Sequence, residues 1–194
     1  MAFIASLWLA LSFSFYALTV GAQDFAIDAY IISGTGCAPG SVTTNVSDDS
    51  KNIAVYYNSF TANAGPSYSV DDNRKNCQLT LSVKTPAGYQ FAFDKFSHDG
   101  SYSIGSGVKA SFKTTYYFQS SLDEAAGSGT SVGPARLDGT FASSFSPVIW
   151  SPCGRSSLVG INTALRVDNS ANTAASGSFT LRTTPSTSFV WRKC

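Results

Sequence analysis

Hydrophobic and polar positions alternate with a period of two through most of this chain. The clearest run opens at Cys77, where Leu79, Leu81 and Val83 fall on one side and Gln78, Thr80, Ser82 and Lys84 on the other. That is the pattern of a half-buried strand. Pro86-Ala87-Gly88 reads as a turn into Tyr89, Phe91 and Phe93, so the two runs are expected to pair as a hairpin. The same period marks strands at Phe25, Ile27 and Ala29, at Val108, Ala110 and Phe112 running on to Gln119, and from Val159 to Val167. Phe179 with Leu181, and Phe189 with Trp191, supply the last two. Ile53 to Phe60 is a further strand, and a short one is expected at Trp150 after Phe141 and Phe145.

Turn-forming residues punctuate these runs. Gly34 to Gly40, Asn63 to Asn76 and Asp99-Gly100 all read as turns. Residues 120–135, rich in Gly, Ser and Ala, predict a long loop with one helical turn at Leu122 to Ala126. Helical periodicity of useful length is absent beyond the first 22 residues. About nine or ten short strands at this spacing predict an all-β fold, an antiparallel two-sheet β-sandwich of jelly-roll type.

Composition places that sandwich outside the cell. Met1 to Ala22 is apolar and aromatic and ends in Val20-Gly21-Ala22, which fits a signal-peptidase site. The run is long enough to span a bilayer, but Ser12, Ser14 and Thr19 dilute it and no basic cluster follows. Residues 1–22 are therefore read as a signal peptide and 23–194 as one secreted domain, with no membrane association after cleavage. Charged residues make up 13% and the net charge is +1, which argues against nucleic acid as a partner. Arg74-Lys75 is read as an ordinary solvated turn in preference to a partner-facing basic spot.

Four cysteines imply two bridges and three connectivities. Pairing neighbours in sequence, Cys37 with Cys77 and Cys153 with Cys194, closes two loops of roughly 40 residues, each worth about 4 kcal/mol on the chain-entropy model. Trp150 and Trp191 each precede a cysteine by three residues and are expected in the core beside the second bridge. No cofactor is expected. The cysteines are too far apart for zinc, and His98 is the single histidine.

Candidate chemistry is sparse. Gly129-Thr130-Ser131-Val132-Gly133 matches a nucleophile elbow in form, but no strand-to-helix context or later histidine supports it. Gly34-Thr35-Gly36 has the wrong spacing for a dinucleotide loop. His98-Asp99 is read as a surface loop, and the aspartates as turn residues rather than a glycosidase pair. Asp71-Asp72-Asn73 lacks the spaced oxygens of a calcium loop. Asn45-Val46-Ser47 is a glycosylation sequon in an exposed turn. Tyr56, Tyr57, Tyr116 and Tyr117 are candidates for a glycan or partner surface, since adjacent strand positions point opposite ways.

Several segments together resemble a known family. They are Gly34-Thr35-Gly36-Cys37, Asp72 to Gln78, Thr115 to Phe118, Trp150 to Gly154, Ile161-Asn162-Thr163 and Trp191 to Cys194. Their order is similar to that of an uncharacterised secreted fungal family, domain of unknown function 4360. Here Ala38 stands before Pro39, where that family has proline directly after its first cysteine. The resemblance implies a small cysteine-bridged extracellular protein and brings no catalytic residues. The expectation is a monomeric, non-enzymatic protein of the cell wall or host apoplast, acting as an effector on a host or wall component, protein or polysaccharide. The alternative is a carbohydrate-binding module or weak glycan hydrolase.

Overall fold

A computed structural model describes residues 25–48, 52–185 and 188–194, so the expected signal peptide lies outside the described residues. Among the described residues the chain forms eleven strands and one short 3-10 turn, Val70–Asp72. The strands are β1 (Ala26–Ser33), β2 (Val42–Val46), β3 (Ile53–Ala64), β4 (Arg74–Lys84), β5 (Tyr89–Ile104) and β6 (Lys109–Phe118). They continue as β7 (Glu124–Val132), β8 (Ala135–Ser144), β9 (Ser157–Asp168), β10 (Gly177–Thr184) and β11 (Ser188–Lys193). Every pairing is antiparallel. One sheet has five strands in the order β1-β4-β9-β6-β7. The other has six, ordered β11-β5-β10-β3-β2, with β8 on β5. The fold is the expected two-sheet β-sandwich.

Between the sheets lies a layer of aromatic rings. Phe91, Phe93, Phe118, Phe179 and Tyr116 are fully buried. Phe93 meets Phe189 at 4.7 Å, Tyr116 at 4.9 Å and Phe91 at 5.9 Å between ring centres. Further along, Phe96, Phe112, Phe141 and Phe179 continue the layer. Most of these pairs are tilted or edge-on, the arrangement that ring quadrupoles favour. The open sides are closed as well. Thr44 of β2 donates a hydrogen bond to Tyr30 of β1, and Ala126 bridges to Ser146 across the other side.

Several expectations fail here, each for a visible reason. The turn at Pro86-Ala87-Gly88 forms, with Tyr89 N donating to Pro86 O at 3.2 Å. It carries the chain across the core, however, and β4 and β5 belong to different sheets. Asp99-Gly100 is mid-strand in β5. A Cβ at Gly100 would fall 2.2 Å from the Thr180 carbonyl oxygen, so glycine is there for the close approach of β10. The segment expected as a long loop is mostly β7, and no helical turn forms at Leu122 to Ala126. Trp150 lies in irregular chain rather than in a strand.

Both disulfides join the expected cysteines. Cys37–Cys77 is buried and ties the turn after β1 to β4, with Cα atoms 5.4 Å apart. Cys153–Cys194 sits at the surface, with a Cα separation of 6.0 Å. Its tryptophans are not core residues. Trp191 is 38% exposed and covers Phe25 and Phe91 from outside. Trp150 is half-buried, with the Arg192 guanidinium 4.1 Å above its ring.

Phe93→Ala should therefore cost about 3–5 kcal/mol of unfolding free energy, measured by urea denaturation. A loss below about 1 kcal/mol would contradict this account of the core.

Candidate functional site: the outer face of the five-stranded sheet

Because alternate residues of β4, β9, β6 and β7 are committed to the core, the others form a regular array on the outside. Pairing registers fix it rung by rung. Arg74, Arg166, Ser111 and Thr130 are successive cross-strand partners. Asn76, Ala164, Lys113 and Ser128 make the next rung, then Gln78, Asn162, Thr115 and Ala126. Thr80, Gly160, Tyr117 and Glu124 follow. From Arg74 to Thr80 the array runs about 20 Å along the strands.

Tyr117 is the large residue of its rung. A Cβ on Gly160 would stand 2.7 Å from Tyr117 Cζ, so the ring lies across the bare backbone of β9. Gln78 Nε2 donates to the Tyr117 hydroxyl at 3.1 Å and holds it there. Beside it, Asn76 Nδ2 donates to Asn162 Oδ1 at 3.2 Å, and Thr35 Oγ1 donates to Asn76 Oδ1 at 3.2 Å. The result is a flat ring among amides and hydroxyls, each with both donor and acceptor capacity. Glu124 is the one carboxylate on the four rungs, and Lys113 engages it at 3.5 Å.

The four candidate tyrosines do not come together. Tyr57 and Tyr116 point into the core. Burial pushes the Tyr57 hydroxyl up to about 12, opposed by its bond to Thr184, and burial raises Tyr116 too. Tyr56 is 44% exposed on the outside of the six-stranded sheet. Tyr117 therefore faces the opposite way, across the thickness of the sandwich. Asn45 is exposed on β2, within a strand rather than in the turn expected for it.

His98 is the plainest correction. It is 1% exposed, inside β5, and its ring nitrogens meet Thr184 Oγ1 at 2.7 Å and Thr114 Oγ1 at 2.9 Å. Thr184 bonds Tyr57 at 3.0 Å and Thr114 bonds Thr163 at 3.1 Å, so five side chains link the two sheets through the core. They border a cavity of about 30 Å³. The period-two run Phe96, His98, Gly100, Tyr102, Ile104 is the sequence signal that places this histidine inside, and the surface-loop reading passed over it.

Other motifs resolve simply. Ser131 of the elbow-like match lies on edge strand β7, with no helix after it. Asp72 is taken up by Ser69 and Lys75, and the Ser69 hydroxyl does most to hold its carboxyl below the usual range. Asp99 and Asp138 share the outer face of the six-stranded sheet, but Asp138 is 71% exposed and paired with Arg182. Among the described residues no three His, Cys, Asp or Glu side chains gather as a metal site, and no helix is long and apolar enough to cross a membrane.

Sequence comparison decides the family. The model of the domain of unknown function DUF4360 matches residues 23–194. The chain belongs to that family. An uncharacterized secreted protein of Arthroderma benhamiae is 32% identical over 136 residues, covering 69% of this chain and 56% of that protein. The chain thus spans little more than half the length of this relative, whose secretion agrees with the two disulfides. Among solved structures, TmCBM61 in complex with β-1,4-galactotriose is 15% identical, with a TM-score of 0.32 over 87% of this chain and 91% of that one. The family 11 carbohydrate-binding module of Clostridium thermocellum, with a mixed-linked tetrasaccharide, is 9% identical, with a TM-score of 0.23 over 86% and 91%. Likeness at this level has no bearing on what this DUF4360 chain binds.

The histidine yields a pH prediction. Burial lowers the His98 pKa from 6.5 to about 3, against the pull of Asp99. Between those values the unfolded chain takes up a proton that the folded chain refuses. The contribution is therefore complete above pH 6.5 and is lost as pH falls toward 3, up to roughly 4–5 kcal/mol. Urea midpoints between neutral pH and about pH 4 should fall more steeply for the wild type than for His98→Gln. Equal slopes would rule this out.

Proposed function

We propose that this is a non-catalytic extracellular protein that holds a polysaccharide along the outer face of its five-stranded sheet, at the fungal cell wall or in the host apoplast. The observation that carries the reading is Tyr117, set over the bare backbone of Gly160 and tied to Gln78. A sugar ring presents an apolar face to stack on an aromatic plane and a rim of hydroxyls to exchange with amides. Gln78 holds the ring's hydroxyl, and Thr80, Asn162 and Asn76 carry further such groups on the same and following rungs. Glycan binding in the wall or apoplast also gives an effector role a physical basis, by covering or retaining a wall polymer at the host interface.

Co-sedimentation with insoluble chitin, β-glucan and cellulose tests this directly. The wild type should enter at least one pellet. Tyr117→Ala should weaken that binding tenfold or more, about 1.4 kcal/mol, and Gly160→Ala should do the same by displacing the ring. Tyr56→Ala, on the other face, should leave it unchanged. Absence from every pellet, or equal losses in Tyr56→Ala and Tyr117→Ala, would remove the proposal.

A further inference from the structure

One end of this face has a different character. Arg74 and Arg166 are direct register partners on adjacent strands, and Lys113 stands on the next rung beside them. With Ser111, Ser128 and Thr130 they line an open trough of about 390 Å³ that has no carboxylate in its lining. Like charges facing each other across a ladder are destabilising. In a chain whose net charge is only +1, three cations at one place are not explained by general basicity.

Local pairing does not use up this charge. Arg166 reaches Asp168 at 3.3 Å, but its side chain is 61% exposed. Lys113 reaches Glu124 at 3.5 Å and is 57% exposed. Arg74 is exposed and makes no ion pair among the described residues. It is also not in the turn expected for it. Arg74 opens β4 and faces outward, while Lys75 is spent on Asp72 at 3.2 Å.

We infer that this trough takes the carboxylates of an acidic polysaccharide, a chain of uronic acid units whose sugar rings continue toward Tyr117. The inference rests on the glycan-binding reading of the same face. Guanidinium groups pair with carboxylates through two parallel hydrogen bonds. A carboxylate between Arg74 and Arg166 would relieve their repulsion as well as gain those bonds. The flanking Ser111, Ser128 and Thr130 hydroxyls suit the remaining oxygens of the sugar.

Polygalacturonate and its fully methyl-esterified form share one backbone and differ in charge, so they are the probes. The acid should bind at least tenfold more tightly at low ionic strength, and the advantage should shrink as salt is raised. Arg74→Gln combined with Arg166→Gln should abolish the advantage, so that the acid binds no more tightly than the ester. Arg74→Gln alone, which breaks no ion pair, should lower the preference several-fold without lowering the thermal midpoint. Equal affinity for the two polymers, or an acid preference that survives both substitutions, would overturn the inference and leave the glycan-binding reading standing. Binding of dextran sulfate without polygalacturonate would overturn it as well. If neither these polymers nor the insoluble neutral glycans bind, both readings fall together.

Discussion

The structure depends on the packing of aromatic rings between two twisted sheets. Each buried Phe or Tyr fixes which face of its strand turns inward, and because the side-chain period is two, it also fixes the neighbour that turns outward. Phe112, Tyr116 and Phe118 on β6 commit Ser111, Lys113 and Tyr117 to the outside. Leu165, Ile161 and Val159 do the same for Arg166, Asn162 and Gly160 on β9. A register slip by one residue would bury the amides and expose the rings, so the outer array is held by the stability of the core. The two disulfides add constraint within β4 and just beyond β11 but do not choose the faces.

One polar thread runs through that apolar layer. Tyr57, Thr184, His98, Thr114 and Thr163 pass hydrogen bonds from the six-stranded sheet to the five-stranded one. Unpaired, these groups would be costly to bury. Paired, they favour one alignment of the two sheets over a slipped alternative. A neutral histidine suits this because it donates at one ring nitrogen and accepts at the other.

Strand positions and bridge pairing were legible in the sequence because both are local or nearly combinatorial. Alternation marked β1, β3, β4, β6, β9, β10 and β11, and four cysteines left only three pairings to weigh. Partner choice was not legible. The turn at Pro86 to Gly88 is real, yet no local signal says whether the next strand folds back on the same sheet or crosses to the other. β7 was missed for a different reason. A Cβ at Gly127 or Gly129 would come within 2.6 Å of Phe96 or Phe112, so neighbouring rings occupy the space that its own side chains would fill. A strand built that way carries a loop's composition. Of the candidate tyrosines, opposite-facing pairs were readable, but which member faces out and on which sheet depends on tertiary packing.

Binding should fall on one face of a two-faced sandwich, and backbone amide chemical-shift mapping during titration with a soluble oligosaccharide reads that choice most directly. Shifts should concentrate at Asn76, Gln78, Thr115, Tyr117, Gly160 and Asn162. Shifts concentrated instead at Ser101, Thr180 and Tyr56, on the six-stranded sheet, would contradict the assignment of the binding face.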